Sequence, residues 1–303
     1  MTIQIKPIED TTFGAVVTNV ALSRLEAADW LAIENAFHEY ALLVFPDQHL
    51  TAEEQTVFGR RFGEIENLVP GRSDYPSVPL SNQKPDGSIL TPDEHAFKVL
   101  RGNEGWHTDS TYMPLASKAA LLSAVVIPEE GGETEWADMR AAYEALSDEK
   151  KAQIADLSAY HSLYYSQEQA GFKMETGTGY GYHTMGAPLR PLVKVHPVTS
   201  RRALYTGRHA YGIPGLSEAA SETLLSELVE FACQPPRTYQ HRWKVGDIVV
   251  WDNRCLLHRA RPYDVSQARI VRATRIAGDP ETELAETAPD ERAAGYEPGT
   301  VNV

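Results

Sequence analysis

The chain has 303 residues, of which 42% are hydrophobic and 23% charged, and its formal net charge at pH 7 is −14. Such a chain is long enough to bury a substantial core, and its acidic surface disfavours nucleic acid and anionic membranes as partners. No apolar run is long enough to cross a bilayer, the N-terminus does not resemble a secretion signal, and only Cys233 and Cys255 occur, so we expect a cytoplasmic protein.

The first hundred residues predict two helices, a strand and a long loop. Apolar side chains at helical spacing indicate a helix over residues 25–39, and residues 41–45 are typical of a buried strand. A capping box that begins at Thr51 predicts a second helix through Phe62. Residues 66–100 are rich in Pro, Ser, Asn and Asp, and we expect a loop there.

Short strands dominate the rest of the chain. They are predicted at residues 120–127, 191–195, 202–206, 247–251 and 269–276. Ser147 and Ser217 are expected to cap helices that run to Leu157 and Cys233. The glycine-rich residues 166–190 are expected to form a second loop.

The order of these elements indicates the fold class. Strands do not alternate regularly with helices, which argues against a doubly wound parallel sheet. We predict a mainly β protein with flanking helices, of the sandwich or jelly-roll kind, in one domain of residues 1–280. The acidic residues 281–303 have little to bury, and we expect an extended or disordered tail.

Two motifs that lie far apart in the chain carry a candidate metal site. His107 and Asp109 are two residues apart and would share one face of a strand, although this pattern alone is common. Residues 248–258 predict a strand, a turn and a return strand that ends at His258. Two imidazoles and one carboxylate form a facial triad, which leaves three coordination positions open and suits non-haem iron(II) better than zinc.

The open positions of such a site can accept 2-oxoglutarate, which chelates through its keto and C1 carboxylate oxygens. Its C5 carboxylate then needs a fixed cation, and Arg269, eleven residues after His258, matches a carboxylate with two parallel donors. Thr134 follows a Gly-Gly turn at the start of a predicted strand and could donate a second hydrogen bond to the same carboxylate.

Together these motifs resemble the taurine dioxygenase family of iron(II)/2-oxoglutarate enzymes, from about residue 10 to about residue 280. The matching blocks are residues 106–109, residues 131–134, residues 251–258 and Arg269. The resemblance implies a double-stranded β-helix (jelly-roll) core that uses Fe(II), 2-oxoglutarate and O2, with Thr134 and Arg269 holding the 2-oxoglutarate tail. It also implies that Asn103 lies near the substrate and the cosubstrate.

One departure from the family pattern changes the expected substrate. Where the taurine enzymes have a sulfonate-binding arginine, this chain has Ala273, and an arginine stands at Arg275 instead. Longer matches look closer to the aryloxyalkanoate dioxygenases, especially the branch that acts on (S)-2-phenoxypropionates; they cover residues 12–18, 39–50, 107–114, 207–210, 233–237 and 276–280. The resemblance implies hydroxylation beside the ether oxygen of a small anionic aryloxyalkanoate herbicide, which yields a phenol and an oxo acid together with succinate and CO2.

The substrate carboxylate has two candidate partners, Arg208 and Arg275. The Gly-Arg-His context favours Arg208, while Arg275 is six strand residues from Arg269, a span of roughly 20 Å. One alternative function is hydroxylation of an alkyl sulfonate, a sulfate ester or another small organic acid with the same cofactors. The other is a non-catalytic metal-binding jelly roll, which would need neither Thr134 nor Arg269. We also expect a homo-oligomer.

Overall fold

The computed structural model describes residues 2–69, 76–172 and 179–293. Its strands, in chain order, are β1 Gln4–Pro7, β2 Ala15–Thr18, β3 Leu42–Phe45, β4 Val78–Ser81, β5 Ser117–Val126, β6 Thr134–Asp138, β7 Ser158–His161, β8 Ala187–Pro191, β9 Val193–Val195, β10 Arg202–Leu204, β11 Ala210–Tyr211, β12 Thr238–His241, β13 Ile248–Asp252, β14 Leu256–Ala260, β15 Ile270–Ala277 and β16 Thr287–Ala288. Its α-helices are α1 Ala27–Tyr40, α2 Ala52–Gly59, α3 His95–Gly102, α4 Met139–Ala145, α5 Asp148–Ile154, α6 Leu163–Gln169, α7 Glu218–Ala232 and α8 Pro280–Glu283. Within these ranges, no helix has the length and the apolar character that crossing a membrane requires.

The largest sheet has the strand order β1-β2-β3-β13-β5-β15-β4 and is antiparallel except between β2 and β3. Its centre is β13, whose apolar residues are buried on both sides between β3 and β5. Alternate side chains point to opposite faces of a strand. Val250 and Leu43 therefore belong to a core beneath α1 and α2, which also contains Phe37 and Phe58.

The opposite face of this sheet packs on a smaller sheet of order β12-β6-β14. Trp251 of β13 and Trp136 of β6 meet between the two sheets, with ring centroids 5.6 Å apart at 63°. Within the smaller sheet His258 pairs with Trp136, and Ala260 pairs with Thr134. This register places two of the predicted site residues on neighbouring strands.

Several predicted elements are confirmed. The helix expected at residues 25–39 is α1, and the expected capping box is present at the start of α2, with Thr51 and Glu54 each accepting from the other's backbone N–H. Ser147 and Ser217 cap α5 and α7 as expected, although α5 ends at Ile154 rather than at Leu157.

The prediction that residues 66–100 form a plain loop is wrong for part of that segment. Residues 78–81 form β4, which pairs with β15, and α3 begins at His95. The buried side chain of Asn82 explains the pairing, because it accepts from the backbone N–H of Arg269 at 2.7 Å and donates to the carbonyl of Gln267 at 2.8 Å. Residues 70–75 lie outside the described residues.

The prediction of an extended or disordered tail is wrong for residues 281–293. Thr287 and Ala288 pair with β8, and Glu283 is buried, with Lys194 3.0 Å from its carboxylate. Ala293 is buried as well. Apolar and paired groups in this acidic segment therefore pack on the protein, and residues 294–303 lie outside the described residues.

The capping box of α2 predicts a measurable contribution to stability. Replacing Thr51 with Ala removes the acceptor of the Glu54 backbone N–H, and we expect the free energy of unfolding to fall by about 1 kcal/mol in denaturant titrations. Thr223→Ala is the matched control, since Thr223 only bonds back to Ala219 within α7. Equal stability of the two variants would contradict the contribution of the cap.

Candidate active site

The two candidate histidine ligands are joined through their backbones. His107 donates its N–H to the carbonyl of His258 at 2.9 Å, and His258 donates its N–H to the carbonyl of His107 at 2.8 Å. The sequence motif around His107 was expected to form a strand, but the structure has only this isolated antiparallel bridge. The bridge brings the imidazole rings to a centroid distance of 4.1 Å, and β14 fixes the position of His258.

Asp109 completes the set that the sequence predicted. Its Oδ2 lies 3.6 Å from Nε2 of His258, and the candidate ligand atoms of His107, Asp109 and His258 all lie within 4.8 Å of one another. All three side chains are buried. The donor set fits a divalent cation because two neutral imidazoles and one carboxylate converge on one point while leaving other sides open.

The imidazoles are in the form that binds a metal. Burial lowers the pKa of His258 to about 4 and that of His107 well below its ordinary value, so both rings are neutral at neutral pH. Nδ1 of His107 lies 2.7 Å from the carbonyl of Gly105, which fixes the tautomer and leaves Nε2 for the metal. Nδ1 of His258 is buried and, among the described residues, has no hydrogen-bond partner.

A second cluster of His38, His196 and Asp252 has similar spacing but a different role. Arg254 binds both oxygens of Asp252, with Nε at 2.8 Å and Nη2 at 2.5 Å, and Nε2 of His196 lies 3.0 Å from Oδ2. The carboxylate is therefore already paired, and the guanidinium would repel a cation. This cluster is an ion-pair network that holds the turn between β13 and β14, and with it the strand that carries His258.

Arg269 and Thr134, predicted to hold 2-oxoglutarate, line one cavity with the candidate metal ligands. Arg269 is buried, its Nε donates to the carbonyl of Gly132 at 3.0 Å, and it forms no ion pair with any described residue. Burial lowers its pKa. A buried cation without a counter-ion is costly, so this position fits the carboxylate of a ligand.

Trp243 supports Thr134 and was not anticipated from the sequence. Its indole N–H donates to Oγ1 of Thr134 at 3.0 Å, and both side chains are buried. Because the hydroxyl oxygen already accepts this bond, its own hydrogen is free to point at another acceptor. No sequence motif marks a tryptophan fifteen residues before a candidate ligand, so the sequence did not predict a role for Trp243.

Arg208, one of the two candidates for the substrate carboxylate, also lines the cavity. Its Nη2 donates to the carbonyl of Ser166 at 2.8 Å and to Oε1 of Gln167 at 3.1 Å, and no described acidic residue forms an ion pair with it. Burial lowers its pKa to about 10. Gly207 brings this residue close to the metal ligands: its φ is +144°, and a Cβ there would lie 3.4 Å from Cα of His107.

The other candidate, Arg275, is already paired. Its Nη2 lies 2.6 Å from Oδ1 of Asp109, and its Nη1 lies 3.4 Å from Oγ of Ser110. Asn103 lines the cavity as expected, and its backbone carbonyl accepts from the N–H of Ala260 in β14. The structure thus brings every predicted site residue to one cavity, but it gives the two arginines different partners.

The cavity has a volume of about 300 Å³ and two chemically distinct parts. Metal ligands and arginines form the polar part. The other part is apolar, and its lining includes Leu68, Val78, Leu80, Phe97, Leu100 and Leu163. Such a cavity suits a small molecule that has an anionic end and an apolar body.

Comparison with known proteins agrees with this site. A family model described as "Taurine catabolism dioxygenase TauD, TfdA family" matches residues 4–274. The chain is 53% identical over 282 residues to an (S)-phenoxypropionate/alpha-ketoglutarate-dioxygenase of Sphingobium herbicidovorans, covering 91% of this chain and 96% of that one. A protein of the same name from Delftia acidovorans is 49% identical over 289 residues, covering 93% and 97%. The crystal structure of AAD-2 in complex with Mn(II) and N-oxalylglycine has a TM-score of 0.85 and 40% identity, covering 95% of this chain and 100% of that chain.

The geometry predicts that a divalent metal stabilises the folded protein. A metal that binds only the native state at a hundred times its Kd adds about 2.7 kcal/mol, so Mn(II) should raise the melting temperature. We expect His258→Ala to abolish this increase and His49→Ala, a change at an exposed histidine, to retain it in thermal melts. An increase that persists in His258→Ala would place the metal elsewhere.

Proposed function

Because the chain belongs to the TauD/TfdA family of dioxygenases, we propose that it hydroxylates a small aryloxyalkanoate, such as an (S)-phenoxypropionate or phenoxyacetate herbicide. The observation that supports this substrate most directly is the guanidinium of Arg208, which has no described acidic partner and lines the same cavity as a set of apolar side chains that includes Leu80 and Phe97. The high identity over almost the whole length of two (S)-phenoxypropionate dioxygenases supports the same substrate class.

The protein is a 2-oxoglutarate-dependent dioxygenase that uses Fe(II), 2-oxoglutarate and O2. In our proposal His107, Asp109 and His258 hold the iron, which with 2-oxoglutarate and O2 supplies the oxidising chemistry and leaves succinate and CO2. Arg269 and the hydroxyl of Thr134 hold the C5 carboxylate of 2-oxoglutarate. Both groups are fixed before the ligand arrives, since Gly132 accepts from the guanidinium and the Trp243 indole orients the hydroxyl.

The substrate is oriented by its two ends. Arg208 binds the carboxylate, while Asn103 lies near both the substrate and 2-oxoglutarate. The aromatic ring occupies the apolar part of the cavity beside Phe97 and Leu80. This orientation presents the carbon between the ether oxygen and the carboxylate to the metal side. Hydroxylation at that carbon gives a hemiketal or hemiacetal, which breaks down to a phenol and an oxo acid.

Further features follow from the same proposal. The facing sheets are inferred to form a double-stranded β-helix core within a single domain, and the packed residues 281–293 belong to that domain rather than to a separate tail. A homo-oligomer remains a prediction. A cytoplasmic location and the lack of nucleic-acid or membrane partners also remain predictions, supported by the net charge of −14 and the free thiols of Cys233 and Cys255.

A substrate panel tests the proposed activity. We expect (S)-dichlorprop or 2,4-dichlorophenoxyacetate to release a phenol and to stimulate succinate formation from 2-oxoglutarate in the iron-loaded enzyme. The measurements are a colorimetric phenol assay and chromatography of succinate. If an alkyl sulfonate or a sulfate ester drives succinate formation while neither aryloxy acid releases a phenol, the alternative substrate class is correct. No succinate with any acid would favour a non-catalytic metal-binding protein.

Arg208 provides a sharper test of how the substrate is held. Arg208→Gln removes a charge-assisted bond to the carboxylate, and we expect KM for the aryloxy acid to rise about 10- to 100-fold while KM for 2-oxoglutarate stays unchanged. The control is Arg201→Gln, at an arginine that pairs with Glu144 on the surface. If KM for the aryloxy acid and KM for 2-oxoglutarate rise equally in Arg208→Gln, Arg208 does not act specifically on the substrate.

A further inference from the structure

Arg275 is a cation next to the metal site that the proposed reaction does not use. It lies on β15 two residues after Ala273 and six after Arg269, and all three line the cavity, since alternate residues of a strand share a face. Its side chain is only 19% exposed. A buried guanidinium needs a counter-ion, and the contacts around it show which one it has.

The two oxygens of Asp109 face different partners. Oδ2 lies 3.6 Å from Nε2 of His258, on the side where the ligand atoms converge, whereas Oδ1 lies 2.6 Å from Nη2 of Arg275. The guanidinium therefore occupies one oxygen, and the other oxygen is the one that lies near His258. A carboxylate held in this way has a single oxygen free for a metal.

A second acidic residue, Glu66, is bonded to Arg275 through the backbone. The backbone N–H of Glu66 donates to the carbonyl of Arg275 at 2.9 Å, so residue 66 is fixed beside β15. The side chain of Glu66 accepts from Oγ of Ser110 at 2.9 Å and also contacts the hydroxyl of Tyr180. The Tyr180 hydroxyl lies 2.9 Å from the same Ser110 oxygen, and its ring packs against the guanidinium, 5.6 Å from the centroid.

The charges of this group agree with a fixed ion pair. Burial by itself would lower the pKa of Arg275, but Asp109 and the nearby Tyr112, Tyr180 and Glu66 raise it above its ordinary value. Burial raises the pKa of Glu66, although Arg275 opposes the effect. Arg275 therefore stays cationic, and its closest anionic oxygen belongs to Asp109.

The backbone next to Asp109 is also constrained. Ser110 has a φ of +56°, in the left-handed region that a residue with a Cβ adopts only at a cost. The hydroxyl of Ser110 is held by Glu66 and Tyr180, and its carbonyl accepts from the N–H of Met113 at 3.0 Å. These contacts keep the strained turn in place and with it the direction of the Asp109 side chain.

We propose that Arg275 is a positioning residue that restricts Asp109 to ligation through one oxygen and so keeps the coordination positions for 2-oxoglutarate open. Tyr180 packs against the guanidinium, and Glu66 and Tyr180 together hold the adjoining turn in place. Without Arg275, Asp109 is free to bind the metal with both oxygens and to fill a position that 2-oxoglutarate needs. The inference rests on the proposed function for the metal and 2-oxoglutarate, and it does not depend on which acid is the substrate.

Titration calorimetry on Arg275→Gln tests this role with Mn(II) and then with 2-oxoglutarate added to the Mn(II)-loaded protein. We expect Mn(II) to bind as tightly as to the unaltered protein or more tightly, because a repulsive cation is lost, and 2-oxoglutarate to bind about 10-fold more weakly. Arg275→Lys, which retains a cation near Oδ1, should recover most of the 2-oxoglutarate affinity. Arg272→Gln is the matched control, since Arg272 is on the same strand and bonds to the carbonyl of Leu50 instead.

The other outcomes overturn the inference. Weaker binding of both Mn(II) and 2-oxoglutarate would mean that Arg275 only supports the fold, and unchanged binding of both would mean that it has no role in ligation. An increased KM for the aryloxy acid with unchanged binding of Mn(II) and 2-oxoglutarate would make Arg275 a substrate anchor. Because no aryloxy acid enters the titrations, failure of the proposed substrate would leave their result unaffected.

Glu66→Gln gives a second test if Arg275→Gln does not fold. We expect Mn(II) to bind at least as tightly as to the unaltered protein and 2-oxoglutarate to bind about 3-fold more weakly. The loss of 2-oxoglutarate affinity is smaller than in Arg275→Gln because the ion pair between Arg275 and Asp109 remains. In the double variant Glu66→Gln/Arg275→Gln the change at Glu66 should have no added effect, since both act through one group. Independent, additive effects would contradict the proposed network.

Discussion

The site depends on the pair of backbone hydrogen bonds between His107 and His258. These residues are separated by about half of the chain, and their reciprocal bonds of 2.9 and 2.8 Å bring the imidazoles together without any strand around His107. The bridge is stable because β14 is held in a sheet beside β6 and the turn before it is fixed by the Asp252–Arg254 ion pair. The positions of Asp109 and Arg208 then follow, since both lie on segments bonded next to His107.

Charge inside the cavity is opposite in sign to the charge of the whole protein. The chain carries a net charge of −14, yet Arg208, Arg269 and Arg275 line one cavity. Each has a distinct neighbour: the carbonyl of Ser166 and the amide of Gln167 for Arg208, the carbonyl of Gly132 for Arg269, and a carboxylate for Arg275. Only two of the three are therefore available to bind anionic ligands, which matches a reaction with one anionic cosubstrate and one anionic substrate.

The candidate metal ligands were predictable because residue type and spacing restrict the chemistry. His107, Asp109 and His258 form a donor set that few functions require, and Arg269 follows eleven residues after His258, directly before β15. The partners that hold these residues could not be predicted in the same way. Glu66, Tyr180 and Trp243 act through contacts made across the fold, and such contacts leave no local pattern in the sequence. The same limit applies to β4, which pairs with the distant strand β15 and is followed by the buried Asn82. It applies also to residues 281–293, whose acidic composition did not indicate that they pack on the protein.

The positions of the three arginines indicate which residues of such an enzyme must be retained and which can be substituted. Arg275 lies on β15, between β5 and β4 of the main sheet, and Arg269 directly precedes this strand, so that a shift of register would turn both away from the cavity. Arg208 lies instead on the loop between β10 and β11, where its backbone N–H donates to the carbonyl of Trp106. Loops accept changes in sequence more readily than the strands of a sheet do. Specificity for a different substrate acid can therefore arise from substitutions in the loop, while the residues proposed to bind the metal and 2-oxoglutarate stay the same.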